Sequence, residues 1–125
     1  MSVLRSQLDT SSDTYRANRA AMEARLAALE ALLDAARAGG GERYVKRHHA
    51  RGKLLARERV ELLLDPDAPF LELSPIAGAE TEYLVGASLV TGVGVVEGTE
   101  CVILANDPTA LGGSINPYTL AKMLR

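Results

Sequence analysis

Apolar residues in this chain keep a helical spacing as far as Leu64, where Asp65-Pro66 intervenes and the spacing changes. Proline pushes the residue before it toward extended backbone, so a helix is expected to end at that pair. Upstream, Met22, Leu26, Leu29 and Leu33 recur at intervals of 4, 3 and 4, one stripe of a helix predicted over residues 13–38. The segment is rich in Ala, Leu, Glu and Arg, and Gly39-Gly40-Gly41 ends it because glycine tolerates a left-handed helix terminus. A stripe of four residues is too narrow for a core, so this helix is expected to be a packing element or subunit contact. Downstream, residues 70–73 read as a short strand, and 87–96 with 101–105 as a hairpin whose polar link contains Gly98. Val102-Ile103-Leu104-Ala105 lacks alternation and is expected to be buried on both faces. The order of helices, then hairpin, then a further helix from Pro117 describes an α/β chain.

The length, 125 residues, allows one modest core or part of a larger one. With one Phe and no Trp that core is aliphatic. A net charge of −2 argues against a bulk nucleic-acid binder. Cys101, alone, excludes an intramolecular disulfide and a cysteine-based zinc site, and reads as a small buried hydrophobe with an inert thiol. No apolar run follows Arg5 as a signal peptide requires, and none approaches the roughly 20 residues of a membrane span. A cytoplasmic protein with no nucleic-acid and no membrane partner is expected. The final helix stops with the chain, and a buried strand, a glycine turn and an opening helix lack the strand that would complete a β-α unit. The sequence therefore reads as the front of a longer protein.

Charge is distributed unevenly. Between Arg43 and Arg59 lie seven of the 14 Arg and Lys residues, two histidines and a single acid, Glu58. Gly52 is expected to break this segment into an approach loop and a second helix over residues 55–64. Arg51 and Lys53 flank a glycine where backbone can approach a ligand, and Arg57 stands four residues beyond Lys53. Guanidinium and ammonium groups so placed suit phosphates. A solvated basic face, with Glu58 paired to a neighbouring Arg, is the plainer reading of the same residues. His48 and His49 are adjacent and point apart, and no carboxylate-rich or cysteine partner is nearby, so no metal site is expected. Gly112-Gly113-Ser114, after a strand and before a helix, either turns N–H groups toward a carbonyl oxygen or phosphate, or is a tight turn needing glycine for steric reasons.

Several ordered blocks resemble a known family. His49-Ala-Arg-Gly-Lys-Leu54, Arg57-Glu-Arg-Val-Glu-Leu-Leu-Leu-Asp-Pro66 and Phe70-Leu-Glu-Leu73 are similar to the N-terminal region of biotin-dependent acyl-CoA carboxylase β subunits. Leu89-Val-Thr-Gly-Val-Gly94, Ala105-Asn-Asp-Pro-Thr109 and Gly112-Gly-Ser114 follow in matching order, nearest the methylcrotonyl branch. The resemblance covers residues 43–125. It implies an incomplete crotonase-like ββα superhelix preceded by the long N-terminal helix, and transfer of a carboxyl group from carboxybiotin to an acyl-CoA. The implied organisation is a mobile N-terminus over 1–12, the helix and its glycine terminator over 13–41, and the start of a carboxyltransferase domain over 42–125. The resemblance places Arg51, Lys53 and Arg57 on the acyl-CoA side, with Gly112, Gly113 and Ser114 at the turn toward the thioester. Arg59 is expected to pair with Glu58 or Glu61. Biotin would ride on a separate α subunit that also carries biotin carboxylase, the β subunits would form a homo-oligomer (a hexamer), and no metal is implied. Leu55 and Ile115-Asn116-Pro117 depart from the family's usual residues. The rival reading is a non-catalytic module, in which the helix pairs with a partner and the basic segment holds a polyanion.

Overall fold

A computed structural model describes residues 6–125. The chain divides into two compact units, residues 1–31 and 32–125. The first holds most of α1 (Asp13–Arg37), whose last residues belong to the second; the start of α1 is capped by Ser12, whose Oγ accepts the N–H of Tyr15 at 3.2 Å. Met22, Leu26 and Leu29 stand exposed along α1, so the predicted stripe is a bare surface in this chain. The mobile terminus expected for residues 1–12 falls partly outside the described residues, and residues 6–10 are exposed.

In the second unit the basic segment is itself helical, which corrects the expected approach loop. The α2 helix (Glu42–His49) ends two residues before Arg51, and Gly52, at φ 69°, turns the chain into α3 (Ala56–Leu63). Lys46 pairs with Glu42 one helical turn away. In α3 the face that packs is Ala56 and Val60, with Leu64 beside them, whereas Leu62 and Leu63 stay exposed. Asp65 ends this helix region and has a second task. Its two carboxylate oxygens accept the N–H groups of Glu97 and Gly98, at 2.6 and 2.7 Å, and so hold the hairpin tip.

The sheet has three antiparallel strands in the order β1 (Leu71–Glu72), β2 (Leu89–Val96), β3 (Thr99–Asn106). The β2–β3 turn is the two residues Glu97 and Gly98, both at positive φ, the geometry that matches the twist of a tight hairpin. Glycines within β2 make room for the core: a Cβ on Gly92 would meet the Phe70 ring at 2.3 Å, and one on Gly94 would meet Leu64 at the same distance. Val60, Val90 and Ile103, with Ala56, form the buried centre, and Cys101 is half-buried against it. β3 is not buried on both faces. Ile103 faces α3, but Val102 is 70% and Leu104 47% exposed, because β3 is the outer strand and no described element covers that side.

The segment before β2 carries three consecutive left-handed residues, Gly86, Ala87 and Ser88. Irregular backbone leaves carbonyl groups without ladder partners. The last helix, α4 (Pro117–Met123), supplies donors for them. Thr119 Oγ1, fully buried, donates to Ala87 O at 2.6 Å, and Lys122 Nζ donates to Leu89 O at 2.5 Å and Gly86 O at 3.3 Å. Asn116 caps α4 by accepting the N–H groups of Tyr118 and Thr119, with Pro117 in the first turn as expected. β2, β3 and α4 thus make one ββα step. No helix among the described residues is long and apolar enough to cross a membrane.

Burial pushes the Lys122 ammonium down from 10.5 to about 8. A lysine whose folded pKa lies below its unfolded value weighs against folding while protonated. Its contribution to stability is therefore expected to rise between pH 8 and 10.5. Denaturant titrations across that range should show this rise in the wild type and a flatter profile in Lys122→Met.

Candidate functional site

The site is built where the end of α1 meets the loop after β3. Gly40 carries its N–H to Thr109 Oγ1 at 3.0 Å. Thr109 is held in turn by Asp107, whose Oδ1 accepts the Thr109 N–H at 2.8 Å and its hydroxyl at 2.6 Å. The approach is too close for any side chain: a Cβ on Gly40 would lie 1.8 Å from the carbonyl oxygen of Thr109, and one on Gly39 would lie 2.6 Å from Asp107 Oδ2. The glycine triplet therefore does more than end a helix. It seats residues 39–40 against backbone 69 residues away in sequence, and so sets α2 opposite the 108–112 loop. Sequence reading missed this contact, because a run of three glycines carries no sign of its partner.

Between these walls lies a cleft of about 440 Å³. Arg47, His48 and Arg51 line one side, Pro108, Ala110 and Gly112 the other. Arg47 lies in the last turn of α2 and Arg51 in the turn that follows it, two like charges on one wall of the cleft. Neither forms an ion pair among the described residues, and no carboxylate lines the cleft. A low-dielectric concavity lined by one sign of charge concentrates the opposite sign. The lining of the cleft thus carries positive charge that no carboxylate of the lining offsets.

The other predicted residues separate. Lys53 lines an adjoining groove of about 470 Å³, together with Arg59, Gly52 and Leu54, and His48 and Pro108 belong to both spaces. Arg59 pairs with neither Glu58 nor Glu61, since Glu58 is taken by His49, whose Nε2 sits 2.9 and 3.0 Å from its two oxygens. Glu58 also accepts the Leu55 N–H at 2.7 Å, and that bond first, then His49, holds its carboxyl below the usual carboxylate range. Leu55 offers no acceptor in return, so Glu58 alone caps the start of α3. His48 turns its Nε2 to Leu54 O at 3.2 Å, so the two histidines do face different partners. The described residues contain no cluster of three metal-capable side chains.

Arg57 stands outside the basic cleft. It makes a two-pronged pair with Glu72, at 2.7 and 2.8 Å, both side chains mostly sheltered from solvent, and so fastens α3 to β1. Of the glycine turn, only Gly112 faces the cleft. The N–H of Gly113 is given to Ala110 O at 2.9 Å and that of Ser114 to Leu111 O at 3.3 Å. The Gly112 N–H has no acceptor among the described residues. Leu111 beside it is held at φ 49°, a conformation that disfavours a branched side chain by about 1 kcal/mol or more. The turn is kept in shape by Asn106 Nδ2, which donates to Gly113 O at 3.3 Å.

Residues 47–125 match the family model of the carboxyl transferase domain. The chain is 55% identical over 123 residues to a probable biotin-dependent acyl-coenzyme A carboxylase beta2 subunit of Mycobacterium tuberculosis, covering 98% of this chain and 23% of that one. It is 47% identical to a probable mitochondrial methylcrotonoyl-CoA carboxylase beta chain of Drosophila melanogaster, covering 98% and 22%. Among solved structures it superimposes on the beta subunit of geranyl-CoA carboxylase from P. aeruginosa with a TM-score of 0.81 at 37% identity, over 97% of this chain and 23% of that one. A transcarboxylase 12S structure with methylmalonyl-coenzyme A bound, described as a hexamer assembly, gives 0.72 at 33% identity over 82% and 21%. The chain thus spans under a quarter of the length of these relatives. Its architecture is the crotonase-like α/β fold of those β subunits, preceded by the long helix.

Two substitutions separate the roles of the arginines. Arg57→Ala leaves Glu72 sheltered and unpaired and is expected to lower stability by about 2 kcal/mol, between the exposed and buried limits for ion pairs. Arg51→Ala removes an exposed, unpaired charge and should change stability by less than about 0.5 kcal/mol in the same denaturant titration.

Proposed function

The chain belongs to the carboxyl transferase domain family, and we propose that it forms the front of an acyl-CoA carboxylase β subunit that transfers a carboxyl group to an acyl-CoA. The observation that carries this reading is the cleft between α2 and the 108–112 loop, with two unpaired guanidinium groups, no carboxylate and one free glycine N–H. The diphosphate of coenzyme A is the anion it suits, since Arg47 and Arg51 can each offer paired donors to phosphate oxygens. Lys53 extends the same basic surface. Arg57 acts as a positioning residue, holding α3 through Glu72. From the cleft the pantetheine arm runs past Gly112, and Gly113 and Ser114 shape the turn that directs it to the thioester.

The cationic lining suits phosphates and offers little to the neutral ring system of biotin. Carboxybiotin supplies the carboxyl group, and in this reading it arrives on a separate α subunit that combines the biotin carrier with biotin carboxylase. The acyl group belongs to the short branched class named for the methylcrotonoyl relatives. The β subunits assemble with one another, as a hexamer, in the cytoplasm, with no metal. Within the chain, residues 42–125 begin the carboxyltransferase domain and 13–41 form a helical extension with its glycine terminator.

The complete subunit, mixed with its biotin-carrying partner, is expected to carboxylate an acyl-CoA and to do nothing without that partner. Arg51→Ala should raise KM for the acyl-CoA about tenfold with little change in kcat, because a charge-assisted contact to a remote phosphate binds substrate and transition state alike. Failure of the complex with every short and branched acyl-CoA would overturn the proposal, as would an unchanged KM in Arg51→Ala.

A further inference from the structure

The antiparallel ladder of β2 and β3 ends at the pair Leu89 and Asn106, yet one further bond follows it: the Asp107 N–H donates to Ser88 O at 2.9 Å. That acceptor belongs to backbone the ladder does not hold. Gly86, Ala87 and Ser88 all stand at positive φ, a sparsely populated region for the two that carry a Cβ. Such conformations persist only where their surroundings over-determine them. Ser88 does not hold the segment by its own side chain, because its Oγ is buried and has no partner among the described residues. Local turns tie the N–H groups, Ala87 N–H to Leu84 O and Leu89 N–H to Gly86 O. The carbonyls are tied by α4. Thr119 Oγ1 donates to Ala87 O on one side of Ser88, and Lys122 Nζ donates to Leu89 O on the other and to Gly86 O. Both donors are buried, so water does not compete for these carbonyls.

Resting on the reading above, we infer that Thr119 and Lys122 are positioning residues for the proposed reaction: through Ser88 and Asp107 they set the 108–112 wall of the cleft. Each link is a hydrogen bond. α4 fixes the carbonyls on both sides of Ser88, and Ser88 O fixes the Asp107 backbone. Asp107 Oδ1 accepts the N–H and the hydroxyl of Thr109. Thr109 Oγ1 then accepts the Gly40 N–H, which seats the opposite wall. Packing runs along the same route. Gly39, Gly86, Ser88, Asp107 and Ala110 surround one space of about 20 Å³, room for little more than a single water molecule. A shift of the 86–88 segment therefore meets Asp107 and Ala110 directly, since close-packed interiors transmit strain. Neither Thr119 nor Lys122 lines the cleft, so their effect on its ligand is indirect.

The test uses the complete subunit with its biotin-carrying partner and reads KM and kcat for an acyl-CoA separately. Thr119→Val removes the donor to Ala87 O at nearly constant volume. It is expected to raise KM about fivefold, the net worth of one hydrogen bond, with kcat per folded molecule unchanged. Thr119→Ser keeps the hydroxyl, with its bond from the Asn116 N–H, and should keep the wild-type KM. Lys122→Met should raise KM as Thr119→Val does; if it does not fold, the two Thr119 variants decide. A purely structural role lowers the folded fraction, which reduces the maximal rate and leaves KM in place. Thr109→Val breaks the route downstream, so combining it with Thr119→Val should raise KM by less than the product of the single effects. An unchanged KM in Thr119→Val, while Arg51→Ala raises it, overturns the positioning role and leaves the parent reading standing. An equal rise in Thr119→Ser, or a full product in the double variant, overturns the positioning role in the same way. Absence of turnover in the wild-type complex overturns the parent reading and this one together.

Discussion

The close seating of Gly40 on the backbone of Thr109 is the contact on which the site depends. Two chain segments that approach this closely leave no volume for a side chain, and the hydrogen bond from Gly40 to the Thr109 hydroxyl orients them. Asp107 fixes that hydroxyl, so the same three residues decide where α2 begins and where the loop after β3 runs. Everything cationic in the cleft is carried on α2 and the turn that follows it. Everything backbone in character is carried on the loop. The basic cleft is what lies between two walls that one glycine brings together.

Charge then gives that geometry its meaning. Of the seven basic residues between Arg43 and Arg59, Lys46 and Arg57 have carboxylate partners, and the rest form no ion pair among the described residues. The division follows position rather than residue type. Arg57, on the inner side of α3, is matched by Glu72 and serves the sheet. Arg47, Arg51, Lys53 and Arg59 line concave surface and are left unmatched, a disposition of mutually repelling charges. α4 serves the irregular backbone before β2, where Thr119 donates to Ala87 O and Lys122 to Leu89 O.

Much of this fold was legible in the chain. The long helix, the stop at Asp65-Pro66, the hairpin around Gly98 and the proline-led last helix each rest on local chemistry, and local chemistry is what a sequence displays. The failures are tertiary. Gly39-Gly40-Gly41 advertised a helix end but not the loop it touches. Residues 43–49, dense in like charge, read as loop, yet the Lys46–Glu42 pair and the contact at Gly40 let them coil. Arg57 belongs to the same basic run as Lys53, and only the fold reveals Glu72 within its reach. The aliphatic run of β3 predicts burial on both faces, whereas its position at the sheet edge leaves Val102 and Leu104 bare.

A structure of the complete subunit with an acyl-CoA bound tests the central claim most directly. The account predicts phosphate density against the Arg47 and Arg51 guanidinium groups, with the arm leaving past the Gly112 N–H. Coenzyme A bound elsewhere, with this cleft filled by other parts of the protein or by solvent alone, would contradict it.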